Sequence, residues 1–337
     1  MKIAIVKLSA LGDIVHAMVV LQFIKQTMPN CHIDWIVEER FASIFDHHPH
    51  IDSVLCVNLK SLKTDKLRFF TELKKLKKYA NNSYDLVIDM QGLLKSAIVS
   101  KILGTNAGFD KNSIREKIAS LFYEKTFFVP YVENVIIRNM DLVSLSLDIE
   151  INKDNLQNKE AFLFFKEEDA EKTGSFIKRD QKNIVHILGS SWESKIYPKE
   201  KFVDIIEGLD GNHLLVWGSE KEEAFAKYIT EYSKATMLPK MNLNELKALI
   251  SNADLVIGGD SGPTHFAWAM NRPSITIFGP TPSQRNILQT DINRVVDCGK
   301  NIDPLKLDKK DFCIRQIDSD KIVALAKELL DEGMHNG

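Results

Sequence analysis

Short apolar runs alternate along the whole chain with stretches of helical periodicity, and most of these runs end in small or polar residues. Runs of this length without polar alternation are typical of parallel strands that are buried on both faces. The clearest are Lys2–Val6, His32–Val37, Ser53–Val57, Leu86–Ile88, Ile184–Leu188, Leu214–Trp217, Leu255–Ile257 and Ser274–Phe278. The alternation predicts an α/β fold built from doubly wound parallel sheets, with a first helix that stops at Pro29.

The polar segment Asn152–Glu160 interrupts this alternation, which then resumes. A chain of 337 residues has room for about two domains of ordinary size. The sequence therefore predicts two domains of the same class, residues 1–155 and 156–337. It leaves open whether the last helix packs back on the first domain.

Composition excludes several classes of protein. The formal net charge of −2 disfavours nucleic-acid binding by the molecule as a whole. The four cysteines form no CxxC pair, so we expect reduced thiols in a cytosolic protein rather than a zinc or redox motif. The apolar run at the N terminus is cut by Lys7 and is too short for a signal peptide, and no stretch is long enough to span a membrane.

Five predicted strands end in small or reactive residues. Ligands of open parallel sheets bind outside the carboxyl ends of the strands, so these segments are candidate binding loops. Two such sheets facing each other would place the loops around one cleft, as a two-substrate transfer requires. The segments are Ser9–Asp13, Asp89–Gly92, Gly189–Ser191, Trp217–Ser219 and Gly259–Gly262.

The first loop joins a strand to a helix and contains Gly12 and Asp13. Gly12 would let a substrate approach the backbone, and Asp13 is either a cap of the helix or a carboxylate that takes a proton from an attacking hydroxyl. The loop lacks the GxGxxG fingerprint, which argues against a nicotinamide oxidoreductase.

The segment Gly259–His265 follows a strand and opens a helix, whose N terminus favours phosphate. Asp260 would repel phosphate and is more suited to a sugar hydroxyl or to holding the loop, and His265 is either a phosphate contact or a packed core histidine. After another strand, the hydroxyls of Ser190 and Ser191 can donate to phosphate oxygens, and Lys195 can neutralise them as a mobile point charge.

Three further features have both a functional and a structural interpretation. The carboxylates after Trp217 could accept ribose hydroxyls, although an acidic first helical turn explains Glu220 and Glu223. The segment Lys60–Lys78 holds eight basic residues with interleaved apolar ones, which suits an anionic membrane or an acidic substrate but also an ordinary surface helix. The histidines at positions 47, 48 and 50 are predicted to lie in a surface loop without a metal.

Several stretches together resemble the ADP-heptose:lipopolysaccharide heptosyltransferases, a GT-B glycosyltransferase family. The stretches occur in the family's order from residue 7 to residue 281, and DMQGLLKSA and ASLFY favour its type I members, which add the first heptose to Kdo2-lipid A, over type II. They are KLSALGDIVHAM (7–18), DWIVEE (34–39), VIDMQGLLKSA (87–97), ASLFY (119–123), LPKM (238–241), GGDSGPTHFAWAM (258–270) and RPSITIFGPT (272–281).

The resemblance implies two Rossmann-like domains, an N-terminal one for the lipid acceptor and a C-terminal one for ADP-heptose. It implies an inverting reaction without a metal or other cofactor, at the cytoplasmic face of the inner membrane. Asp13 would be the general base and Lys195 would hold the diphosphate. The implied donor contacts are Ser190, Ser191, Glu222, Met241, Asp260, Ser261, Gly262 and His265, and the implied acceptor contacts are Ser9, Gly12, Lys60, Lys63, Gln91 and Arg115.

The chain departs from the family pattern in two places. Ser190 and Ser191 stand where threonines are common, in a loop of unusual sequence and length, and the Lys60–Lys78 segment has lysines where arginines are common. The alternatives are a type II heptosyltransferase and a non-catalytic nucleotide-sugar binding protein. The acceptor that the protein uses distinguishes type I from type II. Any turnover excludes a non-catalytic binding protein.

Overall fold

The computed structural model describes residues 1–59 and 68–332. The chain divides into two compact units, unit 1 (Met1–Phe162) and unit 2 (Leu163–Gly337), and the division lies C-terminal to the predicted 155/156 boundary. The polar segment Asn152–Glu160 contains a 3-10 turn at Lys153–Leu156.

Each unit contains one parallel sheet of six strands. The strands of unit 1 are β1 (Lys2–Val6), β2 (His32–Glu38), β3 (Ser53–Val57), β4 (Leu86–Asp89), β5 (Asn106–Phe109) and β6 (Lys125–Phe127). Those of unit 2 are β7 (Asn183–Ile187), β8 (Asn212–Val216), β9 (Thr236–Met237), β10 (Leu255–Gly259), β11 (Ser274–Phe278) and β12 (Asn293–Asp297).

Helices connect the strands. Unit 1 has α1 (Leu11–Met18), α2 (Val20–Thr27), α3 (Arg68–Ala80), α4 (Leu94–Leu103) and α5 (Val135–Leu147). Unit 2 has α6 (Glu167–Gly174), α7 (Lys199–Glu207), α8 (Glu220–Tyr232), α9 (Leu243–Ser251), α10 (Gly262–Ala269), α11 (Ser283–Asn286) and α12 (Ser319–Glu332). The predicted first helix is therefore two helices, α1 and α2, and α12 packs on α7 within its own unit.

The two sheets have the same topology. Their strand orders are β3-β2-β1-β4-β5-β6 and β12-β11-β10-β7-β8-β9, which is the Rossmann order. The order reverses between β1 and β4 in unit 1 and between β7 and β10 in unit 2. We call these positions the switch points, because the crevice at such a reversal is where ligands of this fold bind.

Burial explains which strands the sequence reveals. The central strands β1, β4, β7, β10 and β11 consist mostly of apolar residues and are buried along almost their whole length. Strands β5, β6, β9 and β12 were not predicted. They are short or polar and lie at or near a sheet edge, where no long apolar run is required. Within the described ranges, no helix is both long and apolar enough to cross a bilayer.

Candidate active site

The loop after β1 places Asp13 at an exposed position in the first turn of α1. The Asp13 Oδ2 accepts a hydrogen bond from the backbone N–H of Ala10 at 3.1 Å, so the carboxylate closes the helix start. An aspartate here also benefits from the helix dipole. The capping interpretation of Asp13 is thus satisfied, and its exposure leaves the carboxylate accessible to a substrate.

Gln91 connects the two loops at the switch point of unit 1. Its Oε1 accepts the backbone N–H groups of Leu8 at 3.0 Å and Ser9 at 3.1 Å. The predicted acceptor residues Ser9 and Gln91 are therefore brought together, and Ser9 shares its loop with half-buried Gly12. The Gln91 side chain fixes the backbone that leads into α1.

A buried carboxylate fixes Gln91 in turn. Asp89 Oδ1 accepts the backbone N–H groups of Gln91 at 2.8 Å and Gly92 at 3.3 Å, and Asp89 Oδ2 accepts the Tyr123 hydroxyl at 2.7 Å. Burial raises the pKa of Asp89 although these hydrogen bonds oppose the shift, and burial beside Asp89 raises the pKa of Tyr123. Asp89 and Tyr123 are positioning residues. Asp89 lies in a predicted binding loop and Tyr123 in the ASLFY stretch, but the sequence predicted no role for either side chain.

Gly92 is required by the same loop. It has a φ of +68°, and a Cβ atom there would lie 2.7 Å from the Ile114 side chain. Any other residue would combine an unfavourable backbone conformation with a steric overlap. The loop Asp89–Gly92 is consequently tight and well defined.

At the switch point of unit 2, four side chains form a buried cluster around Asp260. The Lys195 Nζ lies 2.7 Å from Asp260 Oδ2, and only 10% of the Lys195 side chain is exposed. The His265 Nε2 lies 3.2 Å from Asp260 Oδ1, and the Thr281 hydroxyl donates to Asp260 Oδ2 at 2.8 Å. We call these residues the Asp260 cluster.

The electrostatics of the Asp260 cluster follow from these contacts. Burial alone would raise the pKa of Asp260, but the Lys195 ammonium and the His265 hydrogen bond outweigh it and hold the pKa well below its usual range. The prediction of a mobile Lys195 is wrong, because the side chain is buried and paired. Asp260 thus holds its loop and orients Lys195.

The remaining donor candidates lie around this cluster. The half-buried Ser190 donates to the backbone carbonyl of Asp260 at 3.0 Å, whereas Ser191 is exposed. Ser261 is the N-terminal cap residue of α10, and Gly262 is the first residue of the helix. The first N–H groups of a helix have no intrahelical acceptor, so this end of α10 presents donors to an anion.

Glu222 follows β8 in the first turn of α8, and Met241 follows the next strand, β9. Glu222 Oε2 accepts the backbone N–H groups of Gly218 at 2.7 Å and Ser219 at 3.3 Å, which closes a capping box with Ser219. Gly189 admits this carboxylate, since a Cβ on Gly189 would overlap it. The half-buried Met241 ends the segment whose Leu238 carbonyl accepts the Trp217 indole N–H at 2.7 Å.

Of the basic residues predicted to contact the acceptor, the structure describes Arg115 alone. Arg115 is exposed on a loop of unit 1, and Lys60 and Lys63 lie outside the described residues. His47 and His50 lie in a loop with exposed and half-buried side chains, but His48 is buried, so the prediction of a surface position is wrong for His48. No group of three or more metal-ligating side chains comes together within residues 1–59 and 68–332.

Thr281 is the member of the Asp260 cluster that sequence reasoning missed. It belongs to RPSITIFGPT, a stretch that carries part of the family resemblance but predicts no contact for Thr281. Its hydroxyl donates to a carboxylate 21 positions earlier, a contact that no local spacing indicates. The signal available was a polar residue three positions after the end of the buried strand β11.

A family model decides which class of protein this is. The model for glycosyltransferase family 9 (heptosyltransferase) matches residues 73–301. The chain belongs to glycosyltransferase family 9. Its resemblance to the heptosyltransferases is thereby confirmed.

Relatives of this family-9 glycosyltransferase cover its whole length. Lipopolysaccharide heptosyltransferase 1 of Campylobacter coli is 43% identical over 98% of this chain and 100% of its own. The Escherichia coli heptosyltransferase WaaC solved with ADP superposes with a TM-score of 0.80 at 25% identity, over 98% of this chain and 100% of its own.

A second structure of the Escherichia coli protein, solved with ADP-2-deoxy-2-fluoro heptose, has a TM-score of 0.78 at 26% identity and covers 97% of this chain and 99% of its own. The predicted GT-B fold class is confirmed by these neighbours. The chain is a glycosyltransferase of the heptosyltransferase class.

Proposed function

We propose that the protein transfers L-glycero-D-manno-heptose from ADP-heptose to the Kdo of Kdo2-lipid A, with inversion, in the synthesis of the lipopolysaccharide inner core. The type I heptosyltransferases among its relatives and the donor analogue in the Escherichia coli structure support the donor and the pathway. The observation that carries the proposal is the Asp260 cluster beside the N terminus of α10.

The donor diphosphate is assigned to the N terminus of α10, beside the Asp260 cluster. The Asp260 carboxylate is already engaged by Lys195, His265 and Thr281, which reduces its repulsion of a phosphate. A lysine ammonium has three N–H donors, and the contact with Asp260 uses one of them. Lys195 and the N–H groups at Ser261 and Gly262 then bind the diphosphate, while Glu222 and Met241 are assigned to the ribose and the adenine.

Asp13 is assigned the role of general base. In the transfer step it takes the proton of a Kdo hydroxyl, the hydroxyl oxygen forms a bond to the anomeric carbon, and the bond from that carbon to the ADP oxygen breaks. Attack from the face opposite the leaving group inverts the anomeric configuration. The exposure of Asp13 supports this role, since a carboxylate must reach the substrate hydroxyl to remove its proton.

Charge builds up on the departing ADP during this step. A fixed ammonium and backbone donors stabilise such charge without reorganising, which is the task that metal ions perform in other transferases. We therefore propose that the reaction needs no metal. Activity that is retained in EDTA would support this statement, and activity that is lost and then restored by a divalent cation would contradict it.

The acceptor is a lipid, and one face of unit 1 is suited to an anionic membrane surface. Lys74, Lys77 and Lys78 are exposed on α3, and Leu76 points into the core. Phe70 is 71% exposed at the beginning of the same helix. A helix with basic and apolar groups at its surface binds anionic lipid headgroups. We propose a peripheral location on the cytoplasmic face of the inner membrane.

Co-sedimentation with lipid vesicles tests this location. We expect binding to vesicles that contain phosphatidylglycerol, weaker binding as salt is raised, and little binding to neutral phosphatidylcholine. The variant Lys74→Gln/Lys77→Gln/Lys78→Gln should lose binding, whereas Lys153→Gln, away from this helix, should retain it. Equal binding of both variants, or binding that salt does not change, would contradict the proposed membrane face.

Product analysis tests the function itself. The full-length protein is incubated in EDTA with ADP-heptose and either Kdo2-lipid A or a heptosylated core, and the products are identified by mass spectrometry. One heptose added to Kdo2-lipid A supports the type I assignment. Addition only to the heptosylated core would assign type II. No transfer to either acceptor, in EDTA or with an added divalent cation, would reduce the protein to nucleotide-sugar binding.

A further inference from the structure

Two cysteines of unit 2 lie in direct contact although they are 15 positions apart in the chain. The Cys313 Sγ is 2.7 Å from the Cys298 Sγ. Both are free thiols, and neither belongs to the groups assigned to the donor. The sequence predicted only isolated reduced thiols, because no CxxC spacing brings them together.

The structure assigns to Cys298 and Cys313 a reversible dithiol site, at which a peroxide oxidant converts the two thiols to a disulfide. Two side chains whose sulfur atoms already touch need little movement to form the bond. The proposed heptosyl transfer does not depend on these two thiols.

The two thiols differ in solvent exposure, and this difference decides which of them peroxide oxidises first. Cys298 is partly exposed, whereas Cys313 is 2% exposed. Burial and the neighbouring Cys298 raise the pKa of Cys313 to about 12, so the Cys313 thiol is protonated at neutral pH. Peroxide therefore meets Cys298 first.

The reaction is balanced in two steps. The Cys298 sulfur attacks one peroxide oxygen, the O–O bond breaks, and a sulfenic acid and one water form. The Cys313 sulfur then attacks the Cys298 sulfur, the S–O bond breaks, and the second water leaves with the Cys313 proton. The two thiols together lose two electrons, and the peroxide is reduced to two waters.

The disulfide would close the base of the loop 299–312. An ion pair between Lys300 and Asp311 already joins the two arms of this loop at 2.7 Å. Lys309, within the loop, lies 4.6 Å from the ring centroid of Trp192, which precedes Lys195 in the donor loop. Cys298 also contacts the carbonyl of Gly279 at 3.5 Å, so the bond would form beside the strand end that carries Thr281.

Peptide mapping of the full-length protein tests the assignment. The protein is treated with hydrogen peroxide, its remaining thiols are alkylated, and it is digested with trypsin without reductant. The Cys298 and Cys313 peptides, 295–300 and 311–315, are separated by several lysines. We expect them to be recovered as one linked species that dithiothreitol separates, with Cys31 and Cys56 still alkylated.

Matched variants make the result specific. Cys31→Ala/Cys56→Ala keeps the pair and should form the linked species to the wild-type extent, whereas Cys298→Ser should form none. The assignment is overturned if the two peptides stay unlinked and alkylated, if Cys298 accumulates as the sulfinic acid in the wild type, or if the linked peptides contain Cys31 or Cys56.

Discussion

At the switch point of unit 1 the Asp13 carboxylate is exposed, whereas at that of unit 2 the Asp260 carboxylate is buried against Lys195, His265 and Thr281. The strand order is the same in both units, so the topology alone does not decide how a carboxylate is used. Exposure allows Asp13 to exchange a proton with a substrate. Burial and pairing make Asp260 a fixed anion that orients a cation.

The first prediction concerns the exposed carboxylate. Asp13→Asn should lower kcat by about 10²- to 10⁴-fold, because positioned general bases contribute about that much. The melting temperature should stay close to that of the wild type, since the side chain is exposed. Steady-state ADP release measures kcat, and differential scanning fluorimetry measures the melting temperature. Wild-type turnover would remove Asp13 from catalysis.

The second prediction concerns the buried Lys195–Asp260 pair, where a substitution should lower both activity and stability. Lys195→Ala should slow transfer by about 10²-fold or more, through loss of charge stabilisation on the leaving group. It should also destabilise unit 2 by about 3–5 kcal/mol, because Asp260 would be left buried without its cation. Transfer rates and urea unfolding check the two effects. Unchanged stability would show that the Lys195–Asp260 pair is weak, which contradicts the comparison.

Acidification should change the free energy of unfolding in opposite directions through Asp260 and Asp89. The depressed pKa of Asp260 contributes stability above the unfolded value of about 3.9, and this contribution is lost as the pH falls toward the folded pKa. The raised pKa of Asp89 contributes stability that is fully present below the unfolded value and is lost as the pH rises through the folded pKa.

Two variants isolate these contributions between about pH 3 and pH 6. Asp260→Asn should make the loss of unfolding free energy on acidification less steep than in the wild type. Asp89→Asn should make that loss steeper. Urea unfolding at a series of pH values gives the slopes, and equal slopes in all three proteins would refute the opposed shifts.

The smallest expected effect is at Thr281. Thr281→Val removes one hydrogen bond to a charged group and keeps the shape of the side chain, so kcat should fall by about 5- to 20-fold, equivalent to about 1–2 kcal/mol. Thr281→Ser keeps the hydroxyl and should restore most of the rate. Equal rates for the Val and Ser variants would show that the hydroxyl does not position Lys195 through Asp260.

Sequence reasoning located the switch points because parallel strands end at one edge of a sheet. Short apolar runs identified β1, β4, β7 and β10, and the residues that follow them include most of the candidate site. The edge strands β6 and β9 were not predicted, because strands of two or three partly exposed residues are too short to show hydrophobic periodicity.

The contacts among the site residues were less accessible to sequence reasoning. Lys195 and Asp260 are 65 positions apart, and nothing in their local spacing indicates that they pair. A lysine after a strand is usually solvated, so its burial was not anticipated. The burial of Asp89 likewise depends on Tyr123, which comes from a distant segment of the chain.

The central claim is that the proton acceptor and the donor-binding charge are separate groups, and ADP titration by calorimetry tests it most directly. We predict that Asp13→Asn binds ADP with the wild-type Kd, while Lys195→Ala raises the Kd by about tenfold or more, equivalent to about 1.4 kcal/mol. The contrary result, in which Asp13→Asn weakens ADP binding as much as Lys195→Ala does, would contradict this division of roles.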